Sequence, residues 1–200
     1  MGALYSGWVT RANPLPALWL ISDARNDAGL ARALAQLPRG SGFIYRHYHL
    51  PDPERFARFR QLRRLAKARG HVVILADSAL TAREWGADGI YGSPRSLTPR
   101  RGGLLQLATA HDLAELGLAA RLGADAALLS PVFPTNSHPG GAVLGPVRFR
   151  LLARQSRLLG VIAHRIVAQP SLWGRIPAQV SEFERHQAQR GLGDGRHRGA

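Results

Sequence analysis

Short, mostly apolar runs alternate with helical patterns along most of this chain. The runs fall at residues 18–21, 42–45, 71–75, 89–91, 105–108, 126–129 and 159–163. None shows the every-second-residue alternation of a half-wet antiparallel sheet, so each reads as a strand covered on both faces. Helices are predicted between them. Asn26 caps one that runs to about Leu37, and Pro38-Arg39-Gly40 stops it. Asp52-Pro53 opens a second, with cap and proline in the favoured order. Phe56, Phe59, Leu62 and Leu65 form its apolar stripe, while Arg55, Arg58, Arg63 and Lys67 lie off it and read as the wet face. Ser78 caps a short third helix, and residues 113–122 and 147–158 supply two more.

Strands alternating with helices predict a parallel α/β sheet, and closing seven of them into a barrel asks for an eighth. One joint is written twice: Gly86-Ala87-Asp88 and Gly123-Ala124-Asp125 each end a helix on glycine and lead into an apolar run. The eighth strand is the weak point of this expectation. From His164 to Ala200 the chain turns polar, and Ile176-Pro177-Ala178-Gln179-Val180 is the sole candidate, with proline and glutamine where a central strand wants neither. The expected organisation is a barrel over residues 1–163 and an atypical, partly disordered segment over 164–200.

Composition changes this picture little. The net charge of +14 invites a nucleic-acid partner, but the arginines are scattered from Arg11 to Arg198 and Lys67 is the sole lysine. That skew reads as compositional bias, and no interleaving of aromatic and basic residues at a recognition spacing supports nucleic acid. The absence of cysteine excludes disulfides, thiolate zinc and a cysteine nucleophile. No apolar run approaches the roughly 18 residues of a membrane span. A cytoplasmic protein with small-molecule partners is the expectation; the sequence leaves its oligomeric state open.

The candidate chemistry lies after the strands. Residues 128–146 pass from an apolar run into a loop rich in Pro, Gly and hydroxyls, at the carboxyl end of the sixth strand, where α/β folds gather ligands. Thr135, Ser137 and His138 there offer donors suited to a phosphate, or serve only to stiffen the turn. Arg46-His47-Tyr48-His49 at the second strand's end is either a site rim or a solvated exit.

Several of these segments together resemble the thiamine phosphate synthase family and its relatives, the thiazole tautomerases. The resemblance runs from Leu18 to Ala163. It is carried by Leu18-Trp19-Leu20-Ile21-Ser22-Asp23, Ile44-Tyr45-Arg46, Asp77 with Gly86-Ala87-Asp88-Gly89-Ile90, Thr109-Ala110-His111 and Ser130-Pro131-Val132-Phe133-Pro134-Thr135. It implies a (β/α)8 TIM barrel that joins hydroxymethylpyrimidine diphosphate to a thiazole phosphate with magnesium. Arg46 and Thr109 would meet the diphosphate, Asp77 would hold the metal, and Thr135, Ser137, His138 and Gly145 would line the phosphate and thiazole end.

The sequence also departs from the family pattern where charge is handled. Tyr48 replaces a lysine, Ala76 an asparagine, Ser96 a second metal aspartate, His138 the loop lysine, and His164-Arg165 a glycine pair. Losing one of two carboxylates weakens a magnesium site. Two alternatives to the transferase therefore stand. One is a metal-independent tautomerase with His111 as acid or base. The other is a barrel that binds a phosphorylated ligand without turnover.

Overall fold

The computed structural model describes residues 15–98, 102–132, 143–156, 158 and 160–163. Seven parallel strands pair in strict chain order: β1 (Trp19–Ile21), β2 (Gly42–Tyr45), β3 (Val72–Leu75), β4 (Gly89–Gly92), β5 (Leu105–Ala110), β6 (Ala126–Leu129) and β7 (Gly160–Ala163). A 3₁₀ segment (Ala24–Gly29) runs into α1 (Leu30–Gln36), and α2 (Asp52–Ala68), α3 (Ala79–Trp85), α4 (Leu113–Arg121) and α5 (Gly145–Gln155) follow. No described helix is long and apolar enough to cross a membrane.

Chain order matters because crossovers between parallel strands are right-handed. When each strand is laid beside the previous one in the same direction, every helix lands on one face, and the other face must curl to be covered. The core divides accordingly. One cluster packs helix residues Leu34, Phe59, Leu62, Ala82, Leu116 and Phe149 against outward-pointing strand residues such as Phe43, Val73 and Ala108. The second contains strand residues Ile44, Val72, Ile74, Leu105, Leu107, Ala126 and Leu128, with Trp19, Ile21 and Tyr91 against them. This is the interior of a partial barrel. It is tight: a Cβ on Gly42 would lie 2.1 Å from the Trp19 ring. The predicted eighth strand at 176–180, and all of 164–200, lie outside the described residues.

The repeated Gly-Ala-Asp joint has a physical job. Gly86 and Gly123 take φ of +73° and +82°, which only glycine adopts freely. The aspartate behind each then satisfies the strand beside it. Asp88 Oδ2 accepts from the Val73 amide at 2.7 Å, and Asp125 Oδ2 accepts from the Gln106 amide at 2.9 Å. Lys67 Nζ reaches Asp88 Oδ1 at 2.6 Å, so it is no free surface charge.

Two helix expectations need correction. The first helix is capped by Asp23, with Asn26 returning a bond to the cap's own amide, and its opening turns are 3₁₀. On α2 the buried positions are Arg55, Phe59, Leu62 and Ala66, whereas Leu65 is 40% exposed. Arg55 belongs to the buried face because it finds enough partners inside the fold, which hydrophobic periodicity cannot register.

Candidate functional site at the carboxyl edge of the sheet

A parallel sheet puts every strand's carboxyl end on one edge, and the polar residues after β1, β2, β3, β5 and β6 therefore share it. Arg46, which follows β2, is half-buried, and its side chain makes no hydrogen bond to a described residue. Its guanidinium carbon lies 5.6 Å from the Tyr48 ring centroid. Arg46 also acts on two neighbours. Asp23 is held below the usual carboxylate range, first by the side-chain bond from Arg25 and in smaller part by the charge of Arg46. Burial pushes the Tyr91 hydroxyl up, with Arg46 pulling against it and Tyr48 adding to it. Asp23, Arg46 and Tyr48 follow β1 and β2 on one edge of the sheet, and Tyr91 lies in β4.

Behind Arg46 the exits of β1 and β2 are laced together by residues whose pairing the sequence did not show. Ser22 and His47 are buried, and His47 holds φ at +40°, outside the range most residues adopt. Its Nε2 lies 2.7 Å from Asp27 Oδ1 and its Nδ1 2.8 Å from Ser22 Oγ. An ionised aspartate only accepts, so Nε2 carries the proton and Nδ1 accepts from the serine hydroxyl. Ser22 Oγ accepts in turn from the Arg46 amide at 2.8 Å. Arg58 donates to Asp27 at 2.8 Å, and the imidazole stacks on Tyr45 at 4.6 Å. Burial lowers the His47 pKa, with Asp27 opposing. The serine, histidine and aspartate resemble a nucleophile triad in order, but a hydroxyl with no access to solvent cannot meet a substrate. The network is a clamp. The tyrosine and histidines of Arg46-His47-Tyr48-His49 were its sequence signal.

Asp77, after β3, is engaged on both oxygens. Arg55 Nη1 donates to Oδ2 at 2.5 Å, and the Ser78 amide donates to Oδ1 at 2.7 Å. Burial alone would raise its pKa, but these bonds and one from Thr81 outweigh it and hold Asp77 low. The same guanidinium donates to the carbonyls of Arg46 (3.1 Å) and Ala76 (3.0 Å), so one arginine ties α2 to the ends of two strands. Asp77 also lines a cleft of about 360 Å³ between α2 and α3, with Asp52, Phe56, Thr81, Glu84 and Trp85, and Arg46 is not in its walls.

These donors do not fit the magnesium that the resemblance implies. Magnesium requires oxygens with free lone pairs in near-octahedral array. Asp77 gives its charge to Arg55, Ala76 has no side-chain donor, and Ser96 Oγ bonds the Ser93 carbonyl at 2.9 Å.

The fifth-strand side of the edge is sparser. Thr109 lies near the end of β5, half-buried, without a side-chain bond to a described residue. His111 opens the way to α4, which Asp112 caps. Glu115 Oε2 accepts from the His111 amide at 2.7 Å and lies 2.9 Å from its Nδ1. With Nδ1 the donor, Nε2 is left to face a ligand. Leu144 and Gly145 amides bond the carbonyls of Pro131 and Val132 at 2.9 and 3.0 Å, pinning both ends of the loop after β6. Gly145, at φ +70°, opens α5. Thr135, Ser137 and His138 lie outside the described residues.

A family profile described as thiamine monophosphate synthase matches residues 18–164. No curated protein matches the sequence. Among solved structures, a thiamine phosphate pyrophosphorylase from Pyrococcus furiosus superposes with a TM-score of 0.60 at 22% identity, over 74% of this chain and 75% of that one. Citrate synthase SbnG covers 88% of this chain and 95% of its own, at 11% identity and a TM-score of 0.49.

Proposed function

The chain belongs to the thiamine monophosphate synthase family, and on that premise we propose that it is a transferase of thiamine biosynthesis. Its substrates are hydroxymethylpyrimidine diphosphate and a thiazole phosphate. In the reaction the bond from the pyrimidine methylene to the diphosphate oxygen breaks, and the diphosphate leaves with the electron pair. The thiazole nitrogen gives its lone pair to the methylene carbon, which makes the carbon–nitrogen bond of thiamine phosphate. Catalysis then consists of neutralising the leaving group and holding the two rings in line.

The observation that carries this reading is Arg46: a half-buried guanidinium on the ligand edge with no hydrogen bond to a described residue. It meets the diphosphate, Thr109 adds a donor from β5, and Gly145 with Thr135, Ser137 and His138 receives the thiazole phosphate. Closure of the barrel by an eighth strand from the C-terminal segment is part of the same proposal. No step is assigned to magnesium, because the described donors do not suit it. Incubating the full chain with both precursors should yield thiamine phosphate, and Arg46→Met should cut the rate about 100-fold. Equal yields with magnesium and with EDTA are expected; formation only with magnesium would refute the metal-free assignment. No product under either condition would remove the transferase.

A second reading is favoured by the His111–Glu115 pair. A carboxylate that fixes one imidazole nitrogen and frees the other is the arrangement of a general acid–base. In that case the protein interconverts tautomers of a thiazole carboxylate phosphate without metal, and His111→Gln abolishes it. Saturable binding of both phosphates with neither reaction would leave a binding protein.

A further inference from the structure

Tyr48 is a large aromatic side chain with 61% of its surface exposed. Exposed tyrosines are common, but this one is placed with care. The guanidinium carbons of Arg46 and Arg55 each lie 5.6 Å from its ring centroid. Arg55 is itself fixed by three hydrogen bonds and cannot follow a ligand. Tyr48 follows β2 on the same carboxyl edge of the sheet as Arg46. The Tyr48 hydroxyl has no hydrogen-bond partner among the described residues. Its backbone is set by the neighbouring His47, which the Ser22–Asp27 clamp holds at positive φ.

A ring with two guanidinium carbons over it, 61% exposed and beside a half-buried arginine, offers two different contacts within one span. The ring stacks on a planar π-system, and Arg46 takes an anion attached to it. Neither contact needs a metal. We infer that Tyr48 is a specificity-determining residue that stacks the heteroaromatic ring of a phosphorylated ligand while Arg46 holds its phosphate. The ligand class is a single planar ring with a phosphate or diphosphate one or two bonds away. This inference rests on the proposed ligand edge, and it assigns to the tyrosine ring a share of the binding that a point charge could not select for.

The test compares ligands that differ only in the ring. The full chain is titrated calorimetrically with inorganic pyrophosphate and hydroxymethylpyrimidine diphosphate, and with inorganic phosphate and phenyl phosphate. Each ring-bearing ligand should bind about 10-fold tighter than its ringless partner, the modest end of what ring stacking contributes. Tyr48→Leu should bring both ratios close to one and leave the inorganic ions unaffected. Tyr48→Trp should keep or enlarge the ratios, whereas Arg46→Met should weaken all four ligands together. Circular dichroism of each variant checks that the fold is kept. Ratios that survive Tyr48→Leu, or that never exceed one in the unaltered chain, overturn the inference. A Tyr48-dependent preference for phenyl phosphate with no response to the thiamine precursor would sustain the stacking role and sink the transferase. Product formation with a ratio indifferent to Tyr48 would do the reverse.

Discussion

The exits of β1 to β3 and those of β5 and β6 lie on the same edge of one sheet, yet they are built differently. The first group is cross-braced: Arg55 joins α2 to the ends of β2 and β3, and Ser22, His47, Asp27 and Arg58 bind β1 to β2. In the second group, Thr109 makes no side-chain bond to a described residue, and the His111–Glu115 pair stays within one turn of the same short helix. Among the described residues, a braced half presents charge and a ring, and a less braced half presents the Thr109 hydroxyl and the His111 imidazole. The difference shows where preorganisation is placed. Electrostatic stabilisation works best when the charge need not move, and the braces hold the backbone from which Arg46 projects.

Removing a brace should therefore cost far more stability than removing anything on the looser half. Arg55→Met leaves Asp77 without its cation and two buried carbonyls without a donor, for a loss of about 3 kcal/mol. Urea unfolding measures it, and a change below about 1 kcal/mol would show that the brace is ornamental. A gain would point the same way.

The clamp should also reveal itself in pH dependence. Burial depresses the His47 pKa in the folded chain, and that of His71 likewise. The unfolded chain therefore binds protons first as pH falls. Stability from these groups is complete above about pH 6.5 and is lost as pH drops through the depressed folded values. Asp27 and Asp77, also depressed, withdraw theirs only below about pH 4. The thermal midpoint should fall in two stages on acidification, and His47→Gln should flatten the upper one. An unchanged upper stage in that variant assigns it elsewhere.

On the other half the effects shrink. Glu115→Ala breaks an exposed pair and a bond to the His111 amide, which together should cost about 0.5 kcal/mol. Its larger signature is expected in the His111 imidazole, whose nitrogen shifts should lose the single tautomer that Glu115 imposes. A pure tautomer persisting in the variant would mean that another group selects it. Thr109→Val should leave stability within about 0.5 kcal/mol and show itself only in phosphate affinity. If it unfolds the protein, the contrast between the halves is wrong.

How much of this was legible beforehand differs by the kind of interaction. The strand positions could be read because a strand covered on both faces has to be apolar throughout, and 42–45, 72–75 and 126–129 are. The twin joints could be read because glycine at positive φ leaves a mark in one letter. Arg55 could not be read. It reads as part of the helix's wet face until Asp77, 22 residues on, is seen to neutralise it beside buried Phe59, Leu62 and Ala66. His47 was noticed as part of a polar cluster read as a site rim or a solvated exit, but its burial as a clamp depended on Asp27 and Ser22, 20 and 25 positions away.

By itself, then, the sequence determined the alternation of strands and helices, the parallel sheet, and which segments end on the ligand edge. These follow from local patterns of burial and backbone freedom. Only the tertiary structure decided which polar residues at that edge are held by the protein and which make no hydrogen bond to a described residue. Pairing between distant charges is a matter of distance in space, and the order of residues along the chain does not encode it locally. Asp77 and Arg46 look equally ready in the sequence; in the fold, one is joined to Arg55 and the other makes no hydrogen bond to a described residue.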